Sequence, residues 1–194
     1  MTIQKIKYDL LEQLYAPYKN CMNCPLSKKG RTNVVFGRGN PDAKLLIVGE
    51  GPGKEEDLQG IPFVGRSGKL LTKVLLELKF NPQDIYITNI VKCRPPANRT
   101  PTPKEATACI NLLLKNQIQI ISPLLICTLG SCATNLLLES IIPLSKLRGT
   151  IQTYKHLSLI PTYHPAYILR SPKNLPLFIS DLTTAKNYII SNEK

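Results

Sequence analysis

The chain has 194 residues, with 25 Lys plus Arg against 13 Asp plus Glu, a formal net charge of +12, six cysteines and two histidines. At 43% hydrophobic and 20% charged, it has the composition of a folded globular protein and not of a disordered one. No apolar run approaches the roughly 18 residues that a membrane-spanning helix needs. The N-terminus, MTIQKIKYDLLEQ, lacks the apolar core of a secretion signal, so a cytoplasmic protein is expected.

The length fits one domain over 1–194. Ile6, Leu10, Leu11 and Leu14 are spaced for a short amphipathic helix over 4–16, which runs into a loop carrying Cys21 and Cys24. Val34–Phe36 is expected as a short strand, and the apolar run KLLIV at 44–48 as a buried parallel strand. A glycine-rich stretch, 49–68, follows. Ser67 is expected to cap a helix reaching Leu78, with Leu70, Leu71, Val74, Leu75 and Leu78 on one face. IYITNIV at 85–91 is the next strand, and RPPANRTPTP at 94–103 is too proline-rich to be anything but an irregular loop. Thr102-Pro103-Lys104-Glu105 is a capping box that opens a helix to about 121.

A third buried strand is expected at 124–128, a helix at 131–139 and further strands at 150–154 and 157–162. A loop or first turn at 163–170 and a closing helix at 177–191 complete the chain. Strands alternating with helices, and apolar without alternation, predict a parallel sheet covered on both faces. Sites in such sheets gather beyond the C-terminal strand ends, here the segments 49–66, 89–102 and 163–170.

The positive excess points to a polyanion, nucleic acid ahead of a membrane surface. GEGPGKEED at 49–57 is not a P-loop: Val48 stands where the first glycine would be and Glu55 where Ser or Thr would bind magnesium. Its glycines instead allow backbone to approach a flat ligand closely. A reducing compartment makes a disulfide framework unexpected. Cys21 and Cys24 form a CxxC pair, Cys93 lies just past a strand end, and Cys109 lies on the next helix. Without a nearby histidine, these four suit an iron–sulfur cluster or an all-cysteine zinc site. Cys127 and Cys132 are expected as packing residues. His156 falls in a turn, whereas Pro165 holds His164 extended at the functional edge of the sheet.

Five motifs in order, GEGPG at 49–53, GIPFVGRSG at 60–68, ITNIVKCRPP at 87–96, LRG at 147–149 and HPAYILR at 164–170, together with the four cysteines, resemble the family 4 uracil-DNA glycosylases. The resemblance spans roughly 20–185. It implies a three-layer α/β/α sandwich on a central, mostly parallel four-stranded sheet, with the N-terminal helix and CxxC segment 1–32 tied in by a [4Fe–4S] cluster on Cys21, Cys24, Cys93 and Cys109. It also implies hydrolysis of the N-glycosidic bond of deoxyuridine, with the base flipped into a pocket.

By similarity, Phe63 is the stacking floor, Asn89 the amide that reads the uracil edge, and His164 the donor that stabilises the departing uracil anion. Glu50 and Gly51 shape the pocket, Glu50 helping electrostatically, and Glu56 stands beside uracil C5. Arg66, Lys92, Arg94, Arg99, Arg148 and Arg170 are candidates for phosphate contact, and Tyr167–Arg170 for a wedge into the space the base vacates. Gly51 stands where relatives outside family 4 carry a water-orienting Asp. Lys54 and Ile61 depart from the family pattern at the periphery. The expected partner is uracil-containing DNA, bound by a monomer with no membrane association. The rival readings, a non-catalytic DNA-binding module and an electron-transfer protein, leave the set of Phe63, Asn89 and His164 without a purpose.

Overall fold

The computed structural model describes residues 2–193. Its centre is four parallel strands, β2 (Leu45–Gly49), β3 (Ile85–Asn89), β4 (Leu125–Leu129) and β6 (Leu157–Thr162). Two short antiparallel strands, β1 (Arg38–Gly39) and β5 (Gln152–Tyr154), flank them, giving six strands in the order β1-β3-β2-β4-β6-β5. The expected four-stranded parallel core is therefore present with an antiparallel strand added at each edge. Val34–Phe36 is buried but forms no strand; the chain pairs two residues later, at Arg38.

The central strands are mostly apolar because both faces are covered, with polar residues such as Thr88, Asn89, Thr128 and Thr162 toward their C-terminal ends. Leu46, Val48, Tyr86 and Ile126 point into one core, and Leu45, Ile47, Ile85, Ile87, Leu125 and Cys127 into the other, as the two-residue period of a strand requires. Burying each such side chain contributes about 1.5–3 kcal/mol. The first core is shared with α1 (Ile3–Tyr15), α4 (Pro103–Cys109), α5 (Lys115–Ile121) and α6 (Ser131–Leu138). The second is shared with α3 (Arg66–Glu77), α8 (Pro165–Arg170) and α9 (Leu175–Asn192). That is the expected three-layer arrangement. Among the described residues, no helix is long and apolar enough to cross a membrane.

Several local features differ from expectation for identifiable reasons. The third helix begins at Arg66 with Gly65, not Ser67, in the N-cap position and no side chain capping it; Glu56, carried by α2 (Lys54–Gln59), accepts from the preceding amides of Val64 and Gly65 at 3.0 and 2.8 Å. The Thr102/Glu105 capping box forms as read, but the helix it opens passes through a π turn at Ile110–Leu114 before α5. The segment after β6 is helix α8, with His164 as its N-cap and Pro165 in its first turn. Asp57, almost fully buried, accepts from the amides of Thr32 and Asn33 and so anchors the cysteine-bearing segment to α2.

Candidate active site

A cleft of about 720 Å³ opens at the C-terminal ends of the parallel strands. Glu50–Gly53 after β2, Asn89 ending β3, Gly130 and Ser131 after β4, and His164 after β6 all line it. Phe63, Glu56 and Arg66 close one side. The three loop groups selected from the sequence thus converge on one cavity.

Gly49 and Asn89 are register partners in adjacent strands, and the absence of a side chain at 49 makes the floor possible. A Cβ there would come within 2.4 Å of Asn89 Oδ1 and 2.6 Å of the Phe63 ring. Those two side chains therefore occupy the same small space. Phe63 is held there by a backbone in the left-handed region, φ 55°, an uncommon state for a bulky residue. Arg38 donates to its carbonyl at 3.2 Å. Gly68 lets α3 pass against it, since a Cβ at 68 would lie 2.0 Å from the Phe63 carbonyl oxygen. Asn89 is 1% exposed and its Oδ1 has no hydrogen-bond partner. A buried, unpartnered amide oxygen is costly in a folded protein and calls for a ligand donor.

The His164 ring lies 6.0 Å from the Phe63 ring, centre to centre. Its Nδ1 accepts from the Ala166 amide at 3.1 Å, so the neutral imidazole carries its proton on Nε2. Burial pushes its pKa down to about 4, aided by Arg170 and opposed by Glu56. At neutral pH, His164 is a neutral hydrogen-bond donor and not an imidazolium acid.

Glu50 faces α6, where burial and the neighbouring Glu50 carboxylate push the Cys132 thiol up to about 12. Cys132, expected as packing, is half-buried beside Glu50. Gly51 passes close to Val91. Glu56 lines the cleft while its carboxylate is bound to the amides that follow Phe63, so it also holds the Phe63 segment in place.

The four cysteines singled out by spacing come together around the start of the 93–109 segment. Cys21, Cys24 and Cys109 pack at the edge of the core that buries Cys93, and none is in a disulfide. Three of the sulfurs receive hydrogen bonds: Cys93 from Arg31 at 3.2 Å, Cys109 from the Lys92 amide at 3.3 Å and Cys21 from Asn23 at 3.6 Å. Donors aimed at sulfur suit thiolates bound to a cluster. Among the described residues, no three His, Cys, Asp or Glu side chains converge closely enough for one metal ion. Four thiols, three of them with hydrogen-bond donors turned toward their sulfurs and no histidine beside them, have the donor chemistry of an iron–sulfur cluster. The donor set fits a cluster.

The sequence profile of the Uracil DNA glycosylase superfamily matches residues 36–185. The chain belongs to that superfamily. It is 45% identical to a type-4 uracil-DNA glycosylase of Thermotoga maritima over 185 residues, covering 93% of this chain and 95% of the other. Type-4 enzymes of Archaeoglobus fulgidus and Sulfurisphaera tokodaii are 39% and 38% identical, covering 88% and 96% of this chain and 89% and 88% of theirs.

In this superfamily member the basic residues divide by environment. Arg66 and Arg170 are exposed on the cleft rim, and Arg94 is half-buried beside Asn98. None of the three pairs with a carboxylate among the described residues. Arg99 is held bidentately by Glu105, both contacts at 2.8 Å, and this pairing holds the Glu105 carboxyl down at about 2. Arg148 binds Asp181 through two nitrogens and the Leu177 carbonyl, and Thr162 donates to the same Asp181. Both arginines brace loops that frame the cleft. Lys92 departs furthest from expectation: it is 1% exposed, turned inward and out of reach of any phosphate. The sequence offered no sign of the Asp181 brace, because Arg148 and Asp181 are far apart in the chain.

Proposed function

We propose that this chain hydrolyses the N-glycosidic bond of deoxyuridine in DNA, releasing uracil and leaving an abasic site as the first step of base-excision repair. One observation carries the reading: an aromatic ring, an orphaned amide oxygen and an imidazole N–H meet in a single cleft. Uracil extruded from the stack lies on Phe63. Asn89 Oδ1 accepts from its N3–H and the amide nitrogen donates to O4, a pattern that cytosine reverses. His164 Nε2–H donates to O2 as the bond breaks, and there the leaving base gathers negative charge. Glu50 supplies negative potential that favours the positive charge growing on the sugar. Gly51 keeps the base's approach open, and Glu56 crowds the C5 edge where thymine carries a methyl.

Arg66, Arg94 and Arg170 take DNA phosphates, with Leu169 on the exposed turn before Arg170 as the apolar wedge. Cys21, Cys24, Cys93 and Cys109 hold a [4Fe–4S] cluster, which supplies a cross-link between the N-terminal segment and the 92–109 region. The cleft is complete within one chain, which supports a monomer, and six unpaired thiols suit a reducing cytoplasm.

Incubation with a uracil-containing oligonucleotide followed by alkali should cut the strand at uracil; an uncut strand with iron-loaded protein would sink the reading. Protein purified without air should be brown, with about four irons per chain, and Cys93→Ser should lose that colour. Colourless wild-type protein holding one zinc would refute the cluster.

The neutral imidazole has a pH consequence. In water it would titrate near 6.5, but here protonation is suppressed until about pH 4. Single-turnover excision rates should therefore stay level through pH 6.5 and fall only as the pH approaches 4. A break centred on 6.5 would place a solvated His164 in the mechanism.

A further inference from the structure

Lys92 is among the largest fully buried side chains of the described residues and pairs with no carboxylate among them. Buried lysines without an acidic partner are rare, so its surroundings matter. Its Nζ reaches back to the end of β3, donating to the Asn89 backbone carbonyl at 2.7 Å and to Thr88 Oγ1 at 2.5 Å. Thr88 in turn donates to the Phe36 carbonyl at 2.8 Å, which also receives Gln117 Nε2 at 3.0 Å. The Lys92 backbone is fixed at both ends, its carbonyl accepting from Val35 at 2.7 Å and its amide donating to Cys109 Sγ.

Resting on the uracil-excision reading, we propose that Lys92 is a positioning residue for base recognition, aiming the Asn89 amide by anchoring its peptide from behind. Asn89 is the last residue of β3, and the next amide, Ile90, bonds to Gly49. The Asn89 carbonyl is satisfied by Lys92. The far end of the Asn89 side chain has no protein partner at Oδ1, so its direction is set by the backbone that carries it. The bond from Lys92 Nζ to the Asn89 carbonyl ties that backbone down, and the bond to Thr88 Oγ1 holds the Nζ itself in place. Because Lys92 lies between Asn89 and Cys93, the same residue joins the thiol-bearing segment to the pocket.

The test is a double-mutant cycle on free-uracil binding, read by calorimetry with the iron-loaded full chain, beside single-turnover kinetics. Lys92→Met keeps the length and removes the donors. It is expected to weaken uracil binding about tenfold in the wild-type background and to have little effect in an Asn89→Ala background, because interacting residues are not additive. An equal loss in both backgrounds, or none in either, would overturn the proposal. Thr88→Val, which removes one acceptor and keeps the lysine, should shift binding in the same direction by a smaller factor. If Lys92→Met fails to hold iron or fold, Thr88→Val carries the cycle, and additivity there overturns the proposal equally. Wild-type protein that binds no uracil would instead refute the uracil reading itself, so the two failures are distinct.

Discussion

Replacing His164 by Ala is expected to slow uracil excision by about 10²–10³-fold, the usual cost of removing one preorganised donor at a developing anion, about 2.7–4 kcal/mol. The loss should fall on the chemical step, with binding of uracil-containing DNA changed little, because the donor matters most once charge has moved onto the base. His164→Gln is the informative companion. A side-chain amide can donate to O2 but lacks the Ala166 N–H···Nδ1 bond that fixes the imidazole, so partial rescue is expected. Single-turnover rates at saturating enzyme measure both. A wild-type rate for the Ala variant would remove His164 from the reaction.

Asn89→Asp is expected to lower the kcat/KM for uracil by about 10²–10³-fold and to make cytosine excision detectable. A carboxylate still accepts from uracil N3–H but meets O4 with a lone pair in place of a donor, and a mismatched buried polar pair costs a few kcal/mol. Cytosine offers an amino donor at C4, which an acceptor suits. The site gives the new charge no relief, since Asn89 is 1% exposed and its Oδ1 already lacks a partner. Oligonucleotides carrying uracil or cytosine at one position, cleaved with alkali after incubation, report both changes. Unaltered selectivity would mean that another group reads the base edge.

Much of the fold was legible because its signals are local. Leu45–Val48 and Leu125–Cys127 are apolar at every position and fully buried, as strands covered on both faces must be. Thr102 and Glu105 sit at capping-box spacing and form one. The misreadings share a non-local origin. Ser67 has the chemistry of a cap, but the helix starts one residue before it, at Arg66, after a segment whose Val64 and Gly65 amides are held by Glu56 from α2. Arg148 looks like any surface arginine until Asp181 arrives from the closing helix. Lys92 follows an apolar strand and precedes CRPP, a place where lysine ordinarily turns outward; only the fold reveals that the 34–36 segment covers it. The positions of Phe63, Asn89 and His164 were legible through family motifs, whereas the orphaned oxygen and the fixed tautomer needed coordinates.

The left-handed backbone at Phe63 has a consequence for how lesions are found. Buttressed by Arg38, Gly68 and the Glu56-bound amides, the ring stands in position before any base arrives. Little ordering of the protein remains when uracil enters, so the work of extrusion falls on the nucleic acid. On the uracil-excision reading, single-turnover rates are expected to rank substrates by how loosely the uracil is held, single strands first, then U·G mismatches, then U·A pairs. Equal rates on all three would show that extrusion does not limit the reaction. Such a ranking would make the preformed ring a gauge of local helix weakness as well as part of a reader of one base.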